Sequence, residues 1–238
     1  MPAPVERKSA PIALAFNLDG VSTNALRADG DFDGKKHTIA GELLPASLSL
    51  NDVPFTFGSS APGAKNVLIP SGQAIALPAG SYNRVYILAA AIGGDVQTSV
   101  GVGLSSKALT VREWQGPVGQ WWSRLKDIAP SLHEPFAVAN GNNGLVVAWD
   151  SKTGAVSGID QIHPAFVKRD EIAWIGTHRH DPNGDEPYVS SYVFAYGIDV
   201  PAGAKEIRLP NDARLRIMAV TATMDPVRVT PAGALYVA

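Results

Sequence analysis

The fold class that the sequence predicts is all-β, an antiparallel β-sandwich of jelly-roll type with long decorated loops. Three observations carry that prediction. The first is punctuation: 23 glycines and 18 prolines fall between short apolar runs in a chain of 238 residues, the rhythm of many strands joined by turns. The second is the make-up of the runs, which are strand-length and rich in β-branched and aromatic residues. Tyr188-Val189-Ser190-Ser191-Tyr192-Val193-Phe194-Ala195-Tyr196 is one such run, and it suits a central strand. The third is a faint internal echo. Ile69-Pro70-Ser71-Gly72 leads to Ile75-Ala76-Leu77-Pro78 and then to Val85-Tyr86-Ile87-Leu88-Ala89; Val200-Pro201-Ala202-Gly203 leads likewise to Ile207-Arg208-Leu209-Pro210 and then to Leu215-Arg216-Ile217-Met218-Ala219. Each copy reads as a strand stopped by a proline, a turn, and a long buried strand returning. One copy in each half suggests a two-sheet sandwich with related hairpins.

Along the chain, residues 1–10 read as a flexible N-terminal segment and 11–238 as a single β-sandwich domain. The first strand is expected from Ile12 to Phe16, followed by a turn-rich acidic segment, Asn17-Leu18-Asp19-Gly20 and Asp29-Gly30-Asp31-Phe32-Asp33-Gly34. Further strands are expected at Thr38–Ala40, Pro54–Phe57, Asn66–Ile69, Ala74–Leu77, Arg84–Ile92, Val96–Leu104 and Ala108–Glu113. Gly93-Gly94-Asp95 between two apolar runs reads as a tight hairpin. A tryptophan-rich excursion at about 114–165 has weak periodicity and reads as long loops over one face, with a short helix near Trp122–Ile128. Long structured loops in a compact domain are usually functional. Regular β signal resumes at Glu171–Thr177, Tyr188–Ile198, Glu206–Leu209, Arg214–Thr223 and Leu235–Val237.

Composition narrows the function classes. Hydrophobic residues make up 45% and charged residues 18%, with a formal net charge of −2, so the chain has the makings of a core and lacks the basic stripe of a nucleic-acid binder. No apolar run approaches the ~18 residues of a membrane-spanning helix, and no membrane partner is expected. With no cysteine, disulfides, thiolate metal sites and cysteine nucleophiles are excluded. The start, Met1-Pro2-Ala3-Pro4-Val5-Glu6-Arg7-Lys8, has no apolar signal core; it reads as a linker or processed start, with export to the periplasm or medium expected and the signal peptide removed. Gly-x-Ser-x-Gly, Gly-x-Gly-x-x-Gly and Walker-type patterns are missing, which argues against serine hydrolase and nucleotide-binding sites.

Two stretches resemble known families. Trp174-Ile175-Gly176-Thr177-His178-Arg179-His180, with Gly184-Asp185-Glu186-Pro187-Tyr188, Tyr192-Val193-Phe194-Ala195-Tyr196 and the sequel from Ile198 to Thr221, resembles the C-terminal β region of bacterial α-mannosidase-like glycoside hydrolases. Asn17-Leu18-Asp19-Gly20, Gly30-Asp31-Phe32-Asp33-Gly34 and Leu43-Leu44-Pro45 resemble a β-sandwich module appended to many secreted bacterial glycosidases. The mannosidase nucleophile and zinc ligands lie in an α/β domain that has no counterpart here. The resemblance therefore implies an accessory or binding module and carries over no catalytic residue.

Four groups of residues are candidates for chemistry. His178 and His180 are two apart, so on a strand both imidazoles share a face while Arg179 turns away. With Asp185, Glu186 and Tyr188 nearby, they could read a sugar's hydroxyls, hold zinc with a carboxylate, or simply buttress the Pro182-Asn183-Gly184-Asp185 turn. Asn17, Asp19, Asp31 and Asp33 supply hard oxygens that suit a structural calcium ion, or else form Asx turns at strand ends. Trp114, Gln120, Trp121, Trp122 and Arg124 combine indole faces with polar groups, the two ingredients of sugar recognition, or else anchor loops to the sheet. Glu113 beside Trp114 is the first candidate for a catalytic carboxyl, because an apolar wall raises a carboxyl pKa; His178 and His180 are the other two. The expected function is non-catalytic carbohydrate binding, on an oligosaccharide or polysaccharide and in association with a glycosidase domain. The alternatives are a small metal- or carboxylate-dependent polysaccharide-active enzyme and a purely structural β domain.

Overall fold

The computed structural model describes residues 8–115, 122–123, 146–149, 156–160, 162–163 and 170–225. Its strands in chain order are β1 (Ser9–Ile12), β2 (Val21–Ser22), β3 (Thr38–Ala40), β4 (Ser47–Leu50), β5 (Val53–Thr56), β6 (Ala74–Ala76), β7 (Arg84–Ala91), β8 (Val96–Val102) and β9 (Ser105–Val111). They continue with β10 (Trp122–Ser123), β11 (Val146–Trp149), β12 (Val156–Asp160), β13 (Ile162–His163), β14 (Ile172–Asp181), β15 (Gly184–Asp199), β16 (Glu206–Arg208) and β17 (Leu215–Thr223). Among the described residues there is no helix, so none is long and apolar enough to cross a membrane. The chain divides into two compact units, one made of Met1–Gly116 with Asp170–Ala238 and the other of Pro117–Arg169.

The larger unit holds a seven-stranded sheet in the order β1-β17-β7-β15-β14-β3-β2, a four-stranded sheet in the order β6-β16-β8-β9, and the β4–β5 hairpin. The seven-stranded sheet is antiparallel apart from the β2–β3 pair. Its middle strands are buried on both faces: every position of β17 is buried, as are the last five of β7. Such strands read in sequence as unbroken apolar runs rather than alternations. One face of the sheet contributes Val85, Ile87, Phe194, Tyr196 and Ile217 to a core shared with Val96, Val100 and Ile207 of the smaller sheet. The other face contributes Leu88, Ala90, Val193 and Met218, packed with Phe55, Phe57, Trp114 and Trp174.

The internal echo acquires a structural meaning that differs from the expected hairpins. In each copy the short strand and the long strand lie in different sheets. The copies instead meet each other, antiparallel in both sheets, with Ile75 opposite Ile207 and Ala89 opposite Ile217. The Gly93-Gly94-Asp95 turn is corrected on the same ground. It carries the chain from β7 in one sheet to β8 in the other, with Gly93 and Gly94 at φ 73° and 111°, so it closes no hairpin. Tight two-residue hairpins lie elsewhere among the described strands, at β4–β5, β8–β9 and β14–β15; in the first, Asn51 and Asp52 adopt φ 50° and 64° as a primed turn requires. β1 begins at Ser9 and pairs with β17, so residues 9 and 10 belong to the sheet, not to a flexible lead. Asn66–Ile69 forms isolated bridges through Val67 and Leu68 rather than a strand.

The smaller unit contains two antiparallel pairs, β10 with β13 and β11 with β12. Trp122 and Ser123, expected in a short helix, are therefore strand; the rest of that predicted helix, and Leu235–Val237, lie outside the described residues.

A two-histidine, one-carboxylate candidate site

The polar cluster of the sequence sits at the tip of the β14–β15 hairpin. Beyond an irregularity between Gly176 and His178, the register places His178 opposite Pro187, Arg179 opposite Glu186 and His180 opposite Asp185. On its other side β14 pairs with β3, His180 against Thr38. Strand alternation then sends His178 and His180 to one face and Arg179 to the other.

The histidine face meets a residue that the sequence did not single out. Glu42 lies in the turn after β3, and its Oε1 is 2.9 Å from His178 Nε2 and 3.2 Å from His180 Nε2. The two imidazole centroids are 5.6 Å apart. The turn is held on both sides. Gly41 donates its N–H to Ser22 O at 2.8 Å, an approach so close that a Cβ there would come 2.8 Å from the same oxygen. The Trp174 indole donates to Leu43 O at 3.0 Å, and its ring lies where a Cβ on Gly176 would fall, 2.5 Å away. Behind the site, fully buried His180 sets Nδ1 2.8 Å from Ser22 Oγ, which in turn hydrogen-bonds Thr38 Oγ1. At the front, Asp185 Oδ1 stands 3.5 Å from His180 Nε2 and accepts from Arg27 Nε at 2.7 Å, with Nη2 reaching Asp185 Oδ2 at 3.3 Å.

These contacts set the charge of the carboxyls. Burial pushes Glu42 up, but its own backbone N–H, the His178 hydrogen bond and the His180 imidazole together bring it below its usual value. The Arg27 guanidinium holds Asp185 below the ordinary carboxylate range. Among the described residues, Glu42, His178 and His180 form the set of three whose ligand atoms all lie within 4.8 Å of one another.

The opposite face of β14 is closed. Arg179 has a side chain only 11% exposed, donates to Glu186 Oε2 and Gln115 Oε1, and lies 3.8 Å from Asp33 Oδ2. Its Nη2 is 3.2 Å from His37 Nε2, and its guanidinium stacks 5.7 Å from the Trp114 ring. Arg179 thus joins three segments of the chain, and its donors are turned to the protein rather than to a ligand.

The remaining candidates are dispersed. Trp114 is fully buried in contact with Phe32, so its indole offers no free face to a sugar ring. Glu113, next to it, turns its carboxylate to the Gly94 N–H at the β7–β8 connection. Gln120, Trp121 and Arg124 lie outside the described residues; Trp122 and Tyr188 are described as backbone, in β10 and β15. The four residues considered for calcium each serve local structure. Asn17 makes paired hydrogen bonds with the Ile69 backbone, and Asp19 accepts from Asn66. Asp31 accepts from Gly34 and Lys36 N–H, and Asp33 from Lys35 N–H and His37 Nδ1. Burial, then the neighbouring Asp29, pushes the Asp19 carboxyl up.

A family model for AziU2-like β-sandwich domains matches residues 8–226. The chain belongs to that family. The match runs from β1 past the end of β17 and takes in both compact units, and it agrees with the all-β sandwich expected from the strand rhythm. A comparison with curated proteins found no match.

Proposed function

We propose that this AziU2-like domain is a non-catalytic binding module that takes a polyhydroxylated ligand of the oligosaccharide class at the Glu42–His178–His180 face. The observation that supports this reading is convergence. Two imidazoles and the Asp185 carboxylate on strands, the Glu42 carboxylate on a pinned turn and the Arg27 guanidinium from the loop after β2 meet at one end of a sheet. Sugar hydroxyls donate and accept hydrogen bonds in pairs, and carboxylate, imidazole and guanidinium groups match them with charge-assisted contacts. Support for a glycoside hydrolase and export from a bacterial cytoplasm complete the proposal; both rest on the sequence motifs around His178 and the Asp31 loop.

The test is isothermal titration of the full chain against mannans, β-glucans and pectins. Binding that falls at least about tenfold in His178→Ala, a loss of roughly 1.4 kcal/mol, supports the reading. A folded sample silent across the panel overturns it. Binding lost in Trp121→Ala or Trp122→Ala, yet intact in His178→Ala, would overturn the placement at this face. A second reading, a metal-dependent enzyme acting on a polysaccharide, draws on the meeting of Glu42 with the two imidazoles. Its signature is reducing-sugar release that requires added metal and disappears in His178→Ala.

A further inference from the structure

We infer that Glu42, His178 and His180 form a binding site for a zinc-class divalent transition-metal ion, with a fourth coordination position left open at the front. Spacing is the first argument. A tetrahedral ion with ligand bonds near 2.0–2.1 Å sets its ligand atoms about 3.3 Å apart. Glu42 Oε1 already stands 2.9 Å and 3.2 Å from the two Nε2 atoms, so an ion needs the carboxylate oxygen to part from each imidazole by only a few tenths of an ångström, and the three atoms all lie within 4.8 Å of one another.

The chemistry behind the ligands is the second argument. A metal-bound imidazole gives its remaining N–H to a supporting group that fixes ring and tautomer. His180 has that support in Ser22 Oγ at 2.8 Å, itself bonded to Thr38. A hydroxyl both donates and accepts. The Ser22–Thr38 pair can therefore serve His180 whether Nε2 carries a proton for Glu42 or a lone pair for a metal. Third, the scaffold limits how far the ligands can drift, since β3, β14 and the Gly41–Leu44 turn are cross-tied by Ser22 O, Leu43 O and the Trp174 indole. Imidazole donors select zinc and its transition-metal neighbours over calcium or magnesium, which prefer all-oxygen sets.

Asp185 Oδ1 lies 3.5 Å from His180 Nε2 but is engaged by Arg27. The fourth position then falls to water or to an oxygen of a bound molecule. A three-ligand set with one open position is the arrangement of zinc sites that act on or bind a partner, as opposed to closed structural sites.

The metal alone tests the inference, with no sugar present. Full-length chain stripped with EDTA is titrated with Zn²⁺ by calorimetry and with Co²⁺ by visible absorption. Expected are one equivalent of metal and the ligand-field bands of a low-coordinate Co²⁺ site. Glu42→Gln and His178→Ala should each weaken binding about tenfold or more, with unchanged far-ultraviolet circular dichroism, and Ser22→Ala by about tenfold through its hold on His180. Both ligand variants change side chains that keep part of their surface in solvent, 29% for Glu42 and 19% for His178, and the circular dichroism control keeps folding separate from binding. Absence of near-stoichiometric Zn²⁺ uptake by the folded chain overturns the inference. So does uptake that is equally tight in both ligand variants. A chain silent to glycans but loaded with zinc keeps the metal site and removes the glycan reading; glycan binding in EDTA with no zinc uptake does the reverse.

Discussion

The two faces of β14 begin from adjacent residues and end in opposite physical situations. On one, Arg179 is drawn inward against Trp114 and shares its donors among Glu186, Gln115 and the Asp33–His37 loop. On the other, exposure climbs outward from His180 at 0% through His178 at 19% and Glu42 at 29% to Asp185 at 40%. The closed face spends its charges on holding segments together. The graded face keeps one end in the core and presents the other to solvent, which is what a rigid binding surface needs. A charge-dense stretch of sequence is therefore two devices, separated by the pleat of a single strand.

The largest effect is expected where the closed face is hollowed out. Trp114→Ala should lower unfolding free energy by about 3–5 kcal/mol, read by urea denaturation. An effect below about 1 kcal/mol would show that the indole does not carry this face. Next comes Arg179→Met, which leaves Asp33 and Glu186 without their cation; because Glu186 is partly exposed, a loss of about 2–3 kcal/mol is expected rather than the full cost of splitting a buried pair. The graded face should respond differently. His180→Ala removes one of the two hydrogen-bond partners of buried Ser22 and empties the space of a fully buried imidazole, and should cost about 2 kcal/mol, whereas Glu42→Gln, out at the rim, should stay within about 1 kcal/mol of the parent while losing metal affinity. If Glu42→Gln and Arg179→Met destabilise equally, the contrast between the faces fails.

The smallest effect concerns pH. The Asp19 carboxyl, beside the loop that feeds the closed face, has its pKa raised in the folded chain by burial and by Asp29. The folded state thus holds its proton to higher pH than the unfolded state does. The resulting contribution to stability is fully present below the ordinary value of 3.8 and is lost as pH rises through the raised one. Carboxyls held low, such as Asp185, act in the opposite sense, so the contribution is read as a difference: the urea midpoint of Asp19→Asn should gain on that of the parent as pH rises from 3. A difference between the two that stays constant with pH would place the titrating group elsewhere.

Much of the β framework was legible before any coordinates. The run expected at Arg84–Ile92 is β7 (Arg84–Ala91), and that at Arg214–Thr223 is β17 (Leu215–Thr223), because strands buried on both faces leave continuous apolar runs. The β4 strand escaped notice: Ser47-Leu48-Ser49-Leu50 is short and half polar, and its turn carries Asn-Asp instead of Asn-Gly. For Trp114 the sequence leaves two readings open, sugar platform or loop anchor, and the buried indole is the anchor. A glycine- and proline-rich neighbourhood marks a loop, but it does not say whether the loop's aromatic residue points to solvent or into the core.

His-x-His on a strand is a local pattern, and period-two alternation is enough to put both imidazoles on one face. Nothing local selects Glu42, which lies 136 positions from His178 in an ordinary turn. It reaches the histidines because β3 pairs with β14 and because Gly41 and Trp174 pin the turn that follows β3. The echo shows the same division. Its two copies are visible as similar residues, yet their membership of two sheets, and their pairing with each other, depend on long-range hydrogen bonds that no short window encodes. Strand identity follows from spacing and side-chain type, quantities internal to the sequence. Which strands become neighbours, and so which carboxylate faces which imidazole, is decided only when the whole apolar surface is buried at once.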